Sequence, residues 1–274
     1  GTRGVEGIET HLIGREAELI KLQGALDAAA EDGELQVVTI VGEAGLGKSR
    51  LLFEFHDRIE LAAEKYYVFK ARALESLRET PYSLIRDLFS SRFDIGESDP
   101  PQIAFDKFVD GIRSLTGESS GVFGDGSQLE MKASFIGHLT GFDFSESPHL
   151  KDIIEDEKQI QERALLYASQ LFETVTKRHP AVLYLDDLHW ADDESVDFLD
   201  YIAKSCAGAP ILMIELTRPL LFESRPHRGE GEENRLRLDL QPLSKRESGK
   251  LVAEILQKAD FVPDELLTLL VSNT

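Results

Sequence analysis

The chain has 274 residues, of which 50 are Asp or Glu and 30 are Lys or Arg, a formal net charge of −20. That field repels a phosphate backbone, so direct nucleic-acid binding is not expected of this module. With 42% hydrophobic and 29% charged residues the chain is apolar enough to fold, and its single cysteine, Cys206, excludes an internal disulfide framework and a multi-cysteine metal site. No apolar run approaches the roughly 20 residues a membrane span needs, so no membrane association is expected. A reducing, cytoplasmic setting is the expectation.

The start, Gly1-Thr2-Arg3-Gly4-Val5-Glu6-Gly7, lacks an initiator methionine and has the character of a linker, taken as residues 1–11. Gly14-Arg15-Glu16 opens an amphipathic helix carrying Leu19, Leu22 and Leu26 on one face and ending at Gly33. Leu35-Gln36-Val37-Val38-Thr39-Ile40-Val41 is a β-branched run of the kind buried on both faces of a parallel sheet. A glycine loop and a second helix follow it. Tyr66 to Ala71 forms another predicted strand, and Pro81 begins a helical stretch to about Phe93.

Residues 94–150 are broken by Asp99-Pro100-Pro101, Gly117, Gly121, Gly124 and Gly126, with two short helical patterns around Phe105 and Met131, and are expected to be an inserted helical segment with loops. A long helix is predicted from about Asp152 to Lys177. It leads to the buried strand Ala181 to Leu185, a helix over Ser195 to Ala207, and the strand Ile211 to Leu216. Arg235 to Leu240 alternates like an edge strand, and helices begin near Ser244 and Pro263. The alternation implies an α/β fold, a parallel sheet flanked by helices on both faces over residues 12–243, with 244–274 beginning a small helical lid. The chain stops directly after a helical pattern, so both ends suggest a module of something longer.

The strongest motif is Gly42-Glu43-Ala44-Gly45-Leu46-Gly47-Lys48-Ser49, a complete G-x-x-x-x-G-K-S where a predicted strand turns into a helix. Its glycines let successive N–H groups and a helix N-terminus face an anion. Lys48 places a point charge near the β- and γ-phosphates, and the Ser49 hydroxyl can ligate Mg²⁺. The second motif is the apolar strand Val182 to Leu185 ending in Asp186-Asp187. Parallel strands end at a common edge, so Asp186 can stand beside Ser49 as the Mg²⁺-side acid, with Asp187 placed to polarise an attacking water.

Thr217-Arg218 closes the next strand. A sensor of the terminal phosphate and an ordinary strand-end arginine both fit Arg218. His189 and Trp190 fit either a site contact or a packing role. Asp192-Asp193-Glu194 is expected to complement a helix dipole, and Arg225-Pro226-His227-Arg228 receives no ligand.

Taken together, Leu12-Ile13-Gly14-Arg15-Glu16-Ala17-Glu18-Leu19, the phosphate loop continuing into Arg50-Leu51-Leu52, Leu185-Asp186-Asp187-Leu188-His189-Trp190-Ala191-Asp192, Thr217-Arg218-Pro219 and Leu240-Gln241-Pro242-Leu243 resemble the AAA-type ATPase module of the signal-transduction STAND ATPases. Such modules occur in large bacterial regulators, including class III nucleotide cyclases and multidomain transcriptional regulators. The resemblance implies a P-loop three-layer αβα sandwich with AAA-type strand order, binding ATP or ADP with Mg²⁺ and hydrolysing ATP slowly as a regulatory switch.

It places backbone near Ile13 and Gly14 and the Arg15 side chain at the nucleotide, makes Arg218 a γ-phosphate sensor, and puts Asp187 where relatives carry a catalytic acid. Asp187 is one methylene shorter than the glutamate common in AAA machines. The implied partners are neighbouring domains of the same polypeptide, such as a cyclase or DNA-binding domain or helical repeats, and other copies through nucleotide-dependent self-association. Residues 2–7 resemble the connector that follows a cyclase domain in some relatives. Arg72, Arg78, Arg113 and Arg163 are equivalent candidates for an arginine donated in trans. Two readings compete with the ATPase: a P-loop kinase acting on a small acceptor, and a non-hydrolysing nucleotide-binding scaffold. A GTPase lacks its Asn-Lys-x-Asp motif, since the asparagines are Asn234 and Asn273 alone.

Overall fold

The structure, a computed structural model, describes residues 4–5, 8–9, 12–117, 123–124 and 126–258. A two-residue ribbon, β1 (Gly4–Val5) antiparallel to β2 (Ile8–Glu9), precedes the main body. Helix α1 (Glu16–Asp32) buries Leu19, Leu22, Leu26 and Ala29 and ends at Gly33, whose φ of 71° is the left-handed cap glycine adopts without strain. The elements that follow are β3 (Gln36–Val41), α2 (Lys48–Leu61), β4 (Tyr67–Arg72), α3 (Ser83–Phe93), α4 (Pro101–Thr116), α5 (Gly126–Leu139) and α6 (Glu157–Thr176). The chain continues through β5 (Ala181–Asp186), α7 (Asp193–Ser205), β6 (Ile211–Thr217), α8 (Leu220–Ser224), β7 (Arg235–Asp239) and α9 (Lys245–Lys258).

Five strands form one parallel sheet in the order β4-β5-β6-β3-β7, the AAA-type order the sequence resemblance implies. Alternate residues along each strand point to opposite faces, and each face has its own core. Val38, Ile40, Val182, Tyr184, Leu212 and Ile214 pack against α1 and α2 through Leu22, Leu51 and Phe55. Val37, Phe69, Leu183, Leu185 and Met213 face the larger layer containing α3 to α7. The result is the expected three-layer αβα sandwich. Helices α4 and α5 cover the two helical patterns in residues 94–150 and join this second core through an aromatic cluster, Phe89, Phe93, Phe108, Phe142 and Phe144.

Several boundaries differ from expectation for identifiable reasons. Helix α6 starts at Glu157, five residues later than Asp152, because the Asp156 side chain accepts from Gln159 N and caps it there. Helix α3 starts after Tyr82, which lies at φ 58° and cannot continue a helix backwards towards Pro81. The short α8 was not anticipated, and the helix expected near Pro263 lies outside the described residues.

The basic island is an internal clamp. Arg225 pairs with Asp193 and Asp197, and Arg228 with Asp200 and Glu215. Glu215 is wholly buried in β6; Thr39 Oγ1 donates to its carboxylate at 2.7 Å and Arg228 donates two bonds, each 2.7 Å. Burial alone would raise the Glu215 carboxyl, but the Arg228 guanidinium outweighs it and holds the group below its ordinary range. Asp200 is depressed in the same way, by Arg228 and Arg235 acting against burial.

Carboxyls with lowered folded-state pKa contribute stability above the ordinary carboxylate range and lose it as pH falls through their folded values. Arg228→Met leaves Glu215 charged and buried, and at neutral pH this is expected to cost about 3–5 kcal/mol. The deficit relative to wild type should shrink on acidification, because protonating Glu215 removes the uncompensated charge. Urea unfolding of both proteins between pH 7 and pH 4 checks this; a deficit independent of pH would count against the clamp.

Candidate functional site

Strand β3 delivers the chain to the carboxyl edge of the sheet at its centre. There Gly42 N donates to Thr217 O at 3.1 Å, and Leu240 N to Val41 O at 2.8 Å, so the loop begins under constraint from both neighbouring strands. Gly45 and Gly47 take φ of 84° and 87°, which curls the backbone as Gly42-Glu43-Ala44-Gly45-Leu46-Gly47 requires. A Cβ on Gly42 would sit 3.3 Å from Leu46 Cδ1 and 3.4 Å from Leu240 Cβ, so glycine is also needed there for closeness. Helix α2 begins at Lys48 with no side chain capping its N-terminus, and the first-turn amides are thereby left to an anion.

Lys48 Nζ lies across the loop, donating to Gly42 O at 2.5 Å and Glu43 O at 3.1 Å. Its pKa is lowered by burial and then by Arg218, while Asp187 and Asp186 pull it upward. Ser49 follows in the first turn of α2, and Arg50 pairs with Glu54 at 3.6 Å.

Ile13 and Gly14 form the turn before α1. Gly14 has φ 70°, and a Cβ there would lie 2.7 Å from the Glu247 carboxyl and 2.9 Å from Leu243 Cδ2, so this turn sits against the start of α9. That helix is held by a reciprocal cap: Ser244 N donates to Glu247 Oε2 at 2.7 Å, and Glu247 N to Ser244 Oγ at 3.3 Å. Arg15 is buried, and its guanidinium donates to Leu46 O at 3.0 Å, Gln241 O at 2.7 Å and Glu18 at 3.1 Å. These bonds make Arg15 a brace for the phosphate loop.

Strand β5 brings Asp186 to the same edge, where it lines with Ser49 a common cavity of about 400 Å³. Its carboxyl is pushed up by burial and then by the neighbouring Asp187 charge, and it accepts from Asp187 N at 2.9 Å. A half-buried carboxylate that Arg72 and Lys48 only partly compensate, beside a serine hydroxyl, fits a hard dication. Asp187 takes φ 54° and accepts from Arg72 Nε at 3.0 Å and Nη2 at 2.9 Å. Arg72, one of four undistinguished arginines in the sequence, thus reaches the second acid from within its own chain. The motif carries no sign of this, because the pairing exists only through the register that sets Arg72 of β4 opposite Asp186 of β5.

A 3₁₀ turn, Leu188–Trp190, carries His189, which is 4% exposed and has no hydrogen-bond partner at either ring nitrogen. Burial lowers its pKa, with Asp187 opposing and Arg218 and Lys48 adding to the fall, so a neutral imidazole faces the charged cluster. The ring packs on Trp190 with centroids 4.9 Å apart, so a packing role is filled while the ring also stands in the field of the charged cluster. Arg218 follows β6 and is felt by both Lys48 and His189.

Asp192 does more than complement a dipole. It is 2% exposed and accepts five bonds: from Ser195 N and Oγ in α7, from Ser83 N and Oγ in α3, and from Tyr82 N, at 2.7–3.0 Å. One carboxylate therefore caps two helices and closes the turn that holds Asp187 and His189.

A family profile described as AAA ATPase domain matches residues 11–214. An uncharacterized protein of Rhizobium meliloti (strain 1021) is 30% identical over 240 residues, covering 86% of this chain and 21% of the relative, so the chain spans about a fifth of that protein's length. The Orc1 protein of Aeropyrum pernix, solved in complex with DNA, is similar with TM-score 0.46 and 14% identity, over 94% of this chain and 53% of that one.

Replacing Asp192 by Ala strands several buried amides, and the expected loss is at least about 3 kcal/mol in urea unfolding. Asp192→Asn should recover less than half of it, since an amide offers one accepting oxygen and turns a donor towards donors. Full recovery by asparagine would show that the five bonds are not what holds the turn.

Proposed function

We propose that this chain, which belongs to the AAA ATPase domain family, binds ATP with Mg²⁺ at the carboxyl edge of its sheet and hydrolyses it slowly to ADP and phosphate. It acts as a STAND-type, nucleotide-dependent switch within a larger signalling protein. The observation that carries this reading is the convergence at one edge of the uncapped α2 N-terminus, Lys48, Ser49, Asp186 and a neutral, unpartnered His189.

The loop and first-turn amides from Gly45 to Ser49 other than Leu46 N take the phosphates, and Lys48 exchanges its loop carbonyls for β- and γ-oxygens. Ile13 and Gly14 border the adenine side, and Arg15 and Arg50 steady the loop and its helix. Ser49 and Asp186 hold the Mg²⁺, which when bound neutralises charge on the β- and γ-phosphates. Asp187 orients the attacking water, His189 supplies a neutral ring nitrogen beside it, and Arg218 senses the γ-phosphate. Slow turnover is supported by the Arg72 pair: a carboxylate already accepting two guanidinium bonds is a poor base until it is released.

The switch is supported by the contact of Gly14 with Leu243 and Glu247, which ties the start of the proposed lid to the nucleotide edge. A nucleotide-dependent shift of that lid would expose surfaces to neighbouring domains or to a second copy.

Lys48→Ala should abolish binding of both nucleotides. Arg218→Ala should weaken ATP about tenfold while leaving ADP unchanged, the loss of one charge-assisted contact. Asp187→Asn should stop phosphate release with binding intact, and Arg72→Ala should raise turnover several-fold. Nucleotide titrations and a phosphate assay read these effects. Equal loss of ATP and ADP in Arg218→Ala, or a phosphorylated acceptor in place of free phosphate, would overturn the reading.

A further inference from the structure

The cavity that Ser49 and Asp186 share does not end at them. It runs along one face of α2 past Leu52, Phe53 and His56, over a floor of Lys70 and Tyr184, to Ser91 of α3. A second depression of about 690 Å³ shares His56, Lys70 and Ser91 and opens outward beside Lys65, Arg92 and His179. The two form a passage along the edge strand β4, from the proposed metal side of the nucleotide site to the surface.

The unsatisfied groups along it are of one kind. Tyr184 is 4% exposed and its hydroxyl, a phenol O–H, has no partner. Lys70 Nζ donates to His56 Nε2 at 2.8 Å, which makes Nε2 an acceptor and places the imidazole proton on Nδ1. Nδ1 is itself buried without a partner. Further out, Arg92 Nε is buried and unpartnered. The residues that carry these three orphan donors border one passage together with the Lys70 ammonium, the donors themselves lying shielded behind its wall. Four carboxylates also border the passage: Asp186 at its inner end, Asp87, which accepts from Arg72 N at 2.8 Å, Glu60, 3.4 Å from His56 Nε2, and Glu64, which accepts from Tyr66 Oη at 2.9 Å. These carboxylates have donors of their own or a metal role, whereas the orphan N–H and O–H groups lack an acceptor, and together with the ammonium they call for an anionic accepting ligand. The space is several times that of one or two bridging waters and much wider than a fitted pocket for one small anion.

We propose that this passage is an oxyanion subsite and exit route for the inorganic phosphate cut from ATP, Tyr184, His56 and Lys70 receiving it as it leaves the metal edge. The proposal rests on the hydrolytic reading above. ADP left in the phosphate loop blocks the direct way out, whereas the passage begins on the other side of Ser49 and Asp186. No bond is made or broken in it; phosphate moves from one set of donors to another.

The test has two arms. In the first, inorganic phosphate is titrated into the protein loaded with ADP and Mg²⁺ while the His56 ring nitrogens are followed by NMR, with sulfate and acetate as comparisons. Saturable movement of the His56 signal by phosphate, with Tyr184→Phe and Lys70→Ala each weakening the effect about tenfold, is the expected result. No movement, equal movement by acetate, or indifference to both substitutions would overturn the subsite. In the second, single-turnover cleavage in quenched samples is compared with the appearance of free phosphate. Both variants should cleave at the wild-type rate and release phosphate several-fold more slowly; unchanged release would remove the exit role. The first arm needs no turnover, so a protein that never cleaves ATP would defeat the hydrolytic reading without deciding the subsite.

Discussion

Two main-chain hydrogen bonds just beyond β3, Gly42 N to Thr217 O and Leu240 N to Val41 O, set the position of everything at the sheet edge. They continue the ladder past the last strand residue, so the phosphate loop departs from a fixed origin with β6 on one side and β7 on the other. Arg218 follows from the first bond and the segment reaching Gln241 from the second. Arg15 then ties the loop's crest, at Leu46 O, back to Gln241 O. A loop half of whose residues are exposed is thus held by its surroundings, and apart from Gly42 N and Leu46 N its amides need not be spent on internal contacts.

Electrostatics adds a second layer. A chain with a net charge of −20 is a poor general host for a polyanion, so the cations that matter must be local and directed. Lys48 is lowered by burial and by Arg218, His189 is kept neutral by burial, and Asp186 is raised by burial and by the Asp187 charge. Each is a strained protonation balance that a metal-bound triphosphate would relieve. Elsewhere, charge is neutralised internally, as in the Glu215, Arg228 and Asp200 network, and that region has no such unmet demand.

The fold was legible because its strands are nearly continuous apolar runs and its phosphate loop is local in sequence. The meeting of Ser49 with Asp186 followed from one rule, that parallel strands share an edge. Three features were not legible. Arg72 reaches Asp187 through strand register, which no local pattern encodes. Asp192 looked like an ordinary acidic first turn because its second helix, α3, begins more than a hundred residues earlier in the chain. The orphan donors of Tyr184 and His56 are defined by missing partners, and a sequence does not record what fails to touch a hydroxyl. The misplaced start of α6 is of another kind: helical periodicity runs on past Asp156, and only the cap geometry shows where the helix begins.

The bond from Arg15 to Gln241 bears on where this unit could be cut. A truncation after Asp239 would retain every strand of the sheet and look complete by topology. It would nevertheless remove Leu240 N and Gln241 O, freeing the crest of the loop and leaving a buried guanidinium in search of an acceptor. The smallest piece able to keep its grip is therefore longer than the smallest piece able to build its sheet.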